Sequence, residues 1–244
     1  MFTYIYDNFT KNEIMWLSLI VLFISEIPLI IFTYLDIIKL KSLEKYRINY
    51  NKERKYPSNN DINYGIKKNM ISVFGIIVPL SIIGIIIINK YNIELYDMSR
   101  ELPNLFTCFF HIIAILLISD VLFYIWHRIM HTPFLYKNIH KIHHHHTETF
   151  ALVNHFMHPV ELLSFTILML IAPILLHSHI VILWITMILI NWNGIIIHSG
   201  YSFLDKKKSP CILEHDSHHE FFRCNYGVMF SFMDKIFGTY YLPK

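Results

Sequence analysis

Sixteen histidines stand in a 244-residue chain that is poor in other polar residue types. Eight of them fall into three groups with helical spacing: His127 and His131; His140, His143 and His144; and His215, His218 and His219. Residues three and four apart share one face of an α-helix, so each group would present its imidazoles on one side. Imidazole is a ligand for iron, zinc, copper or nickel, and eight rings exceed what one first-row ion accepts. The pattern therefore predicts two metal ions. A lone histidine near a membrane is usually a hydrogen-bonded interfacial side chain, but three groups with repeated spacing call for another account.

The remaining histidines divide by position. His198 closes the last apolar stretch on the same predicted side as the three groups, so geometry permits it as a ninth ligand. His158, followed by Pro159, is a further candidate and a stronger one than His155. His145 and His146 turn away from the face of His144 and are expected to be exposed or to play a supporting part. His111, His177 and His179 fall toward the opposite membrane face and are not expected to be ligands. Asp120 lies inside an apolar run, where a carboxylate is costly and needs a partner. It is expected to reach a ligand histidine and fix its tautomer, as carboxylates beside metal-bound imidazoles do, the alternative being a pair with Arg128 or a structural hydrogen bond.

The elements that must position these residues are apolar helices. The chain is 54% hydrophobic and 16% charged, with a mean hydropathy of +0.41, against roughly 25% charged residues in soluble proteins. Four stretches approach or exceed the ~20 apolar residues of a membrane span: 14–35, 70–89, 106–126 and 162–197. The last is too long for one crossing and reads as a two-helix hairpin broken near Pro173 and His177–His179. The first is longer than a signal-peptide core and lacks a small-residue cleavage site. Eighteen of the 21 Lys and Arg residues fall on one side of this topology. That side is therefore expected to be cytosolic and to hold the histidine groups and the C-terminus. The segment from Lys39 to Lys68 reads as a cytosolic loop. The expected fold is an all-α integral membrane protein of about four spans, with a cytosolic helical cap carrying a histidine-rich dimetal site. Three cysteines without regular spacing exclude a disulfide framework. A net charge of +3 without a basic stripe argues against nucleic acid as a partner.

The motifs His127–His131 (HRIMH), His140–His144 (HKIHH), ALVNHFMHPVE at 151–161, HSGY at 198–201, HDSHH at 215–219, NYG at 225–227 and DKIFGTY at 234–240 occur in the order found in the fatty acid hydroxylase/sterol desaturase superfamily. The chain resembles that superfamily over residues 115–244, and its motifs look most like those of C4-methylsterol oxidases and cholesterol 25-hydroxylases. The resemblance implies one membrane-embedded domain over 1–244, with spans and a cytosolic loop in 1–105 and the catalytic region in 106–244. It implies a non-haem di-iron centre held by His127, His131, His140, His143, His144, His215, His218 and His219, with His198 as a ninth ligand. His158 matches the histidine–proline pair of the methylsterol oxidases. Related enzymes often carry a further His or Asn four residues before the ninth histidine. Here Gly194 stands in that place, with Asn191 and Asn193 nearby, so the tenth ligand is left unassigned.

By the same resemblance the substrates are O₂ and a bilayer lipid, most simply a sterol. Two electrons would come from NAD(P)H through cytochrome b5 or its reductase, in the endoplasmic reticulum. Zinc would be able to replace iron in a preparation. Trp126, Phe150, Phe156 and Trp192 are candidate lining residues of a lipid slot. Lys206–Lys208 is a candidate docking patch for the electron donor. Oxidation of a fatty acyl or ceramide chain and lipid desaturation use the same centre. From other classes, a zinc-dependent membrane hydrolase and a non-catalytic metal-holding protein fit the histidines alone.

Overall fold

The computed structural model describes residues 9–48, 56–91, 95–203 and 210–242. Among these residues the chain is helical, with two isolated bridging pairs, Arg47 with Tyr201 and Asp97 with His179. Four helical stretches are long and apolar enough to cross a membrane: Asn12–Ile38, Asn59–Gly84, Leu105–Met130 and Ile180–His198. The chain is a multi-pass membrane protein. Its outward faces are studded with exposed Phe23, Ile30, Phe74, Ile86, Phe106 and Phe109, a surface suited to acyl chains and poorly suited to water.

The first span is two helices, α1 (Lys11–Ser25) and α2 (Ile27–Ile38), separated at Glu26 two residues before Pro28. Thr10 and Glu13 form a reciprocal cap at its start, the Thr10 hydroxyl accepting from the Glu13 N–H and the Glu13 carboxylate from the Thr10 N–H. At its other end a buried ion pair joins Asp36 to Arg47 at 2.8 Å, and the Tyr201 hydroxyl donates to the same carboxylate. This triad ties the segment after α2 to the end of the last span.

The second span begins earlier than the apolar run suggests. Helix α3 (Asn59–Ser72) starts inside the segment expected to be a loop, because Ser58 and Asp61 form a second reciprocal cap. A single wide π-turn (Val73–Ile77) leads into α4 (Val78–Tyr91). It lies directly before Pro79, whose missing N–H interrupts the regular ladder.

Helix α5 (Leu105–Met130), capped by Asn104, is followed by the short α6 (Pro133–Asn138) and two tight 3₁₀ turns, His140–His145 and Ala151–His155. The last apolar stretch is the expected hairpin: α7 (Pro159–Leu175) and α8 (Ile180–His198), joined at His177, whose φ is 42°. Helix α8 packs against α1, α5 and α9 (Pro210–Phe221). A short α10 (Phe232–Ile236) follows. Buried side chains such as Ile115, Ala172 and Ile182 fill the crossing of α5, α7 and α8. Indole N–H groups staple the helices, Trp126 to Ser164 and Trp184 to Ser18. The segments carrying the three histidine groups form a cap over one end of the spans.

Candidate metal centre

Nine histidines from four parts of the chain meet in that cap. Their ring nitrogens form two groups that could each hold a metal ion, with the ligand atoms of each within 4.8 Å of one another. The first group is His127, His131, His140, His144 and His218; the second is His143, His198, His215 and His219. Helix α5 brings His127 and His131 to its last turn, α8 ends on His198, and α9 supplies the final three. The motif at 140–144 lies on a 3₁₀ turn where an α-helix was expected. Its three rings do not serve one side. His140 and His144 point into the first group and His143 into the second. The motif at 215–219 divides in the same manner, with His215 and His219 in the second group and His218 in the first.

The Nε2 atoms approach closely. In the first group His140 lies 3.1 Å from each of His127, His131 and His144, and His218 lies 3.2 Å from His131 and His144. In the second, His198 is 2.9 Å from His215 and 3.3 Å from His143 and His219. Metal–nitrogen bonds of ~2.1 Å give polyhedron edges of roughly 3.0–3.4 Å, so the spacing fits ligand sets.

The opposite ring nitrogens settle the tautomers. Nδ1–H of His127 donates to the Tyr226 carbonyl, that of His198 to Gly194 and that of His218 to Cys224, each at 2.7 Å. His219 donates to His146 at 3.3 Å, and His140 to the Glu161 carboxylate. A carbonyl can only accept, so in the four rings that face one the Nε2 lone pairs point inward, the form that binds metal. Burial first, and then the neighbouring imidazoles, hold His131, His143, His144, His215, His218 and His219 well below the ordinary histidine value. They are neutral at pH 7, and several converging lone pairs invite a cation.

The carboxylates are arranged differently from the expectation. Asp120 reaches no histidine; its Oδ1 accepts from the N–H groups of Met229 at 3.0 Å and Phe230 at 3.3 Å. It pins the loop whose Tyr226 carbonyl orients His127, seven residues further along α5. The carboxylate that touches a ligand candidate is Glu161, fully buried in the first turn of α7 and bonded to His140. Its signal in the sequence is an acidic residue opening an apolar helix directly after His158 and Pro159. His158 is in neither group; its Nδ1 accepts from the Val160 N–H and caps α7.

Gly194 also finds a physical reason. A Cβ there would stand 2.6 Å from the Asn154 side-chain oxygen, so the 3₁₀ turn at 151–155 occupies that space. Asn191 turns to Glu26 and Asn193 to the Val228 carbonyl, outside both groups. His155 pairs with Glu26, His111 with Ser178 and His179 with the Ser99 carbonyl, and none of the three belongs to either group.

The C-terminal motifs serve the loop. Asp234 accepts from the Tyr226 and Gly227 N–H groups at 2.8 Å and from the Thr239 hydroxyl at 2.7 Å. Gly227 allows the closeness, since a Cβ would lie 2.8 Å from the Phe230 carbonyl oxygen. Asn225, with φ 53°, bridges the Glu214 and Tyr241 carbonyls. Below the histidines lies a cavity of about 520 Å³ between the spans. His127 and His140 of the first group and His143, His198 and His215 of the second line its upper end, and apolar side chains such as Leu22, Leu80 and Leu170 its walls. Trp126 lines it; Trp192 donates to the Ile24 carbonyl instead, and Phe150 and Phe156 are buried elsewhere. Lys206–Lys208 falls outside the described residues.

The profile of the fatty acid hydroxylase family matches residues 112–239. Methylsterol monooxygenase 1 of Rattus norvegicus is 30% identical over 249 residues, covering 97% of this chain and 80% of the relative. Cholesterol 25-hydroxylase of Homo sapiens is 34% identical over 151 residues, or 58% of this chain and 55% of the relative. A very-long-chain aldehyde decarbonylase of Oryza sativa subsp. indica is 32% identical over 149 residues, 58% and 56% of the two chains. The chain thus spans about half the length of several relatives it matches. No solved structure matches it. Histidine motifs, matched region and relatives agree: the chain belongs to the fatty acid hydroxylase family.

Proposed function

We propose that the protein is a membrane-bound lipid oxygenase. Nine histidines would hold two iron ions and serve the insertion of oxygen into an unactivated C–H bond of a sterol-like lipid. The observation that carries this reading is the convergence of nine imidazoles, in groups of five and four, at the head of an apolar cavity inside the spans. No side-chain acid or base breaks such a C–H bond near neutral pH; bound iron supplies the activation of O₂ that does. The chain's own part is to hold and orient. His127, His131, His140, His144 and His218 would bind one ion, and His143, His198, His215 and His219 the other. Glu161 and the carbonyls of Tyr226, Gly194 and Cys224 fix the rings. Phe123 and Trp126, below His127 in the cavity wall, exclude water and leave an apolar path for substrate.

Electrons would arrive from NAD(P)H through cytochrome b5 or a reductase at the cap. The positive-charge bias supports a cytosolic cap and C-terminus, and the sterol-enzyme relatives support residence in the endoplasmic reticulum. Residues 1–244 would act as one domain, since α1 packs on α8 and lines the same cavity as α5.

Lipid mass spectrometry of cells expressing the protein beside a His143→Ala variant tests the reading. A product 16 Da heavier than its precursor, found only with the parent protein and only in air, is the expected result. Loss of two hydrogens would mean desaturation, and an oxidised acyl or ceramide chain would move the substrate away from sterols. Turnover that persists without O₂ would indicate zinc-dependent hydrolysis, and unchanged lipids in both samples would remove catalysis altogether. Zinc found in a preparation decides nothing, because imidazole sites recruit it during expression.

A further inference from the structure

A second polar group lies in the membrane away from the nine histidines. Glu26, at the break between α1 and α2, accepts from His155 Nε2–H at 3.1 and 3.2 Å and from Asn191 Nδ2–H at 3.1 Å. Asn154 Nδ2–H donates in turn to the Asn191 side-chain oxygen at 3.3 Å. All four side chains line the cavity. Asn191 is seven residues before His198 on α8, about 10 Å of helix.

The opposite contribution comes from α5. Ser119 and Asp120 are 2% and 1% exposed and line the same cavity, and Ser119 Oγ and Asp120 Oδ2 have no hydrogen-bond partner. Asp120 is seven residues before His127 on α5, the same helical separation as Asn191 from His198 on α8. Polar groups from α5, α8 and the α1–α2 break thus line the same, largely apolar cavity. A network serving only to join helices would close on itself. Here the Glu26 side chain keeps 19% of its surface, and a carboxylate offers about four acceptor positions, of which His155 and Asn191 take three contacts.

We infer that the Glu26, His155 and Asn191 group is the docking site for a hydroxyl on the substrate, so that the lipid is an alcohol held with one polar end about two helical turns before the last ligand candidate of α8. The inference rests on the oxygenase reading and narrows its substrate class. A hydroxyl brings one donor for the carboxylate and two acceptor positions for an amide or ring N–H. A thioester or alkane brings no donor and leaves the acceptors desolvated. A fatty acid anion or phosphate head group would place its own oxygens against Glu26 and Asp120 without a proton to share.

The test is equilibrium binding to the full chain in lipid nanodiscs, without O₂ or reductant. Cholesterol is compared with its 3-deoxy counterpart cholest-5-ene, and hexadecan-1-ol with hexadecane. The parent protein should prefer an alcohol over its deoxy partner by roughly tenfold or more, as expected for a hydrogen bond to a charged group. Glu26→Gln and Asn191→Ala should each cut that preference to about threefold or less, leaving deoxy-lipid binding and bound metal unchanged. The pair that carries the preference, ring or chain, identifies the source of the hydroxyl. Equal binding of alcohol and deoxy lipid by the parent protein overturns the inference, as does a preference that survives in whichever variant folds. Hydroxyl preference without any O₂-dependent product sinks the oxygenase reading alone; an oxidised product without the preference sinks the docking site alone.

Discussion

His143 and His218 show how much a single position decides. Each sits three residues after one member of a four-spaced pair and one before the other, and each turns into the opposite ligand group. The four-spaced pairs 127/131, 140/144 and 215/219 stay together. Spacing alone made the histidines legible as ligand candidates, because neighbours on a helical face are a local property. Their division between two groups was not legible, since it depends on the 3₁₀ geometry of 140–145 and on where α9 docks. Glu161 is not legible for a similar reason: nothing near it in sequence marks His140, 21 residues away, as its partner. Removing the carboxylate frees the ring that bonds it, so Glu161→Ala should weaken metal binding about 10–100-fold, with Glu161→Gln in between. Metal content after dialysis against graded chelator measures this; full retention in Glu161→Ala would show that His140 needs no such support.

Among the elements, the spans were readable and their boundaries less so. A run of apolar residues marks the part of a helix that lies in lipid, and the first, third and last stretches were recovered on that signal. The apolar signal does not reach the first turns of α3, which are polar, with Asn59, Asn60 and Asp61 reading as loop. The local cue for its start is the serine–aspartate pair three residues apart, a capping signature. Ser58→Ala should cost the folded state ~1 kcal/mol by leaving the Asp61 N–H without its acceptor. Chemical denaturation in detergent would register this as a lowered midpoint; an unchanged midpoint would mean that the apolar part of the span alone sets where the helix begins. Asp120 teaches the reverse lesson. Its burial was foreseeable from its place in an apolar helix, but its partner belongs to a loop more than a hundred residues later.

For the whole molecule, the cost of gathering so many neutral imidazoles appears in its response to acid. In the unfolded chain each ring takes up a proton near pH 6.5, whereas His143, His144, His215, His218 and His219 stay neutral when folded because burial disfavours the charge. Below that pH the unfolded state binds more protons. The stability these rings contribute is fully present above about pH 6.5 and is lost as the pH falls through it, by at most ~1.4 kcal/mol per ring and pH unit. The metal-free protein should therefore melt at progressively lower temperature from pH 7 to pH 5. Bound metal should be released over the same interval, because protons and cations compete for the same lone pairs. A melting temperature that is flat across this range would contradict the account.

The two ligand groups also differ in when they can come into being. Four of the first group's five rings, His127, His131, His140 and His144, precede the last span, while the second group draws His215 and His219 from α9. A nascent chain whose α9 is still within the ribosome already owns most of the first nest and only half of the second. If each group holds an ion as proposed, the first could be captured while synthesis continues, and the second would have to wait until α9 has emerged and docked.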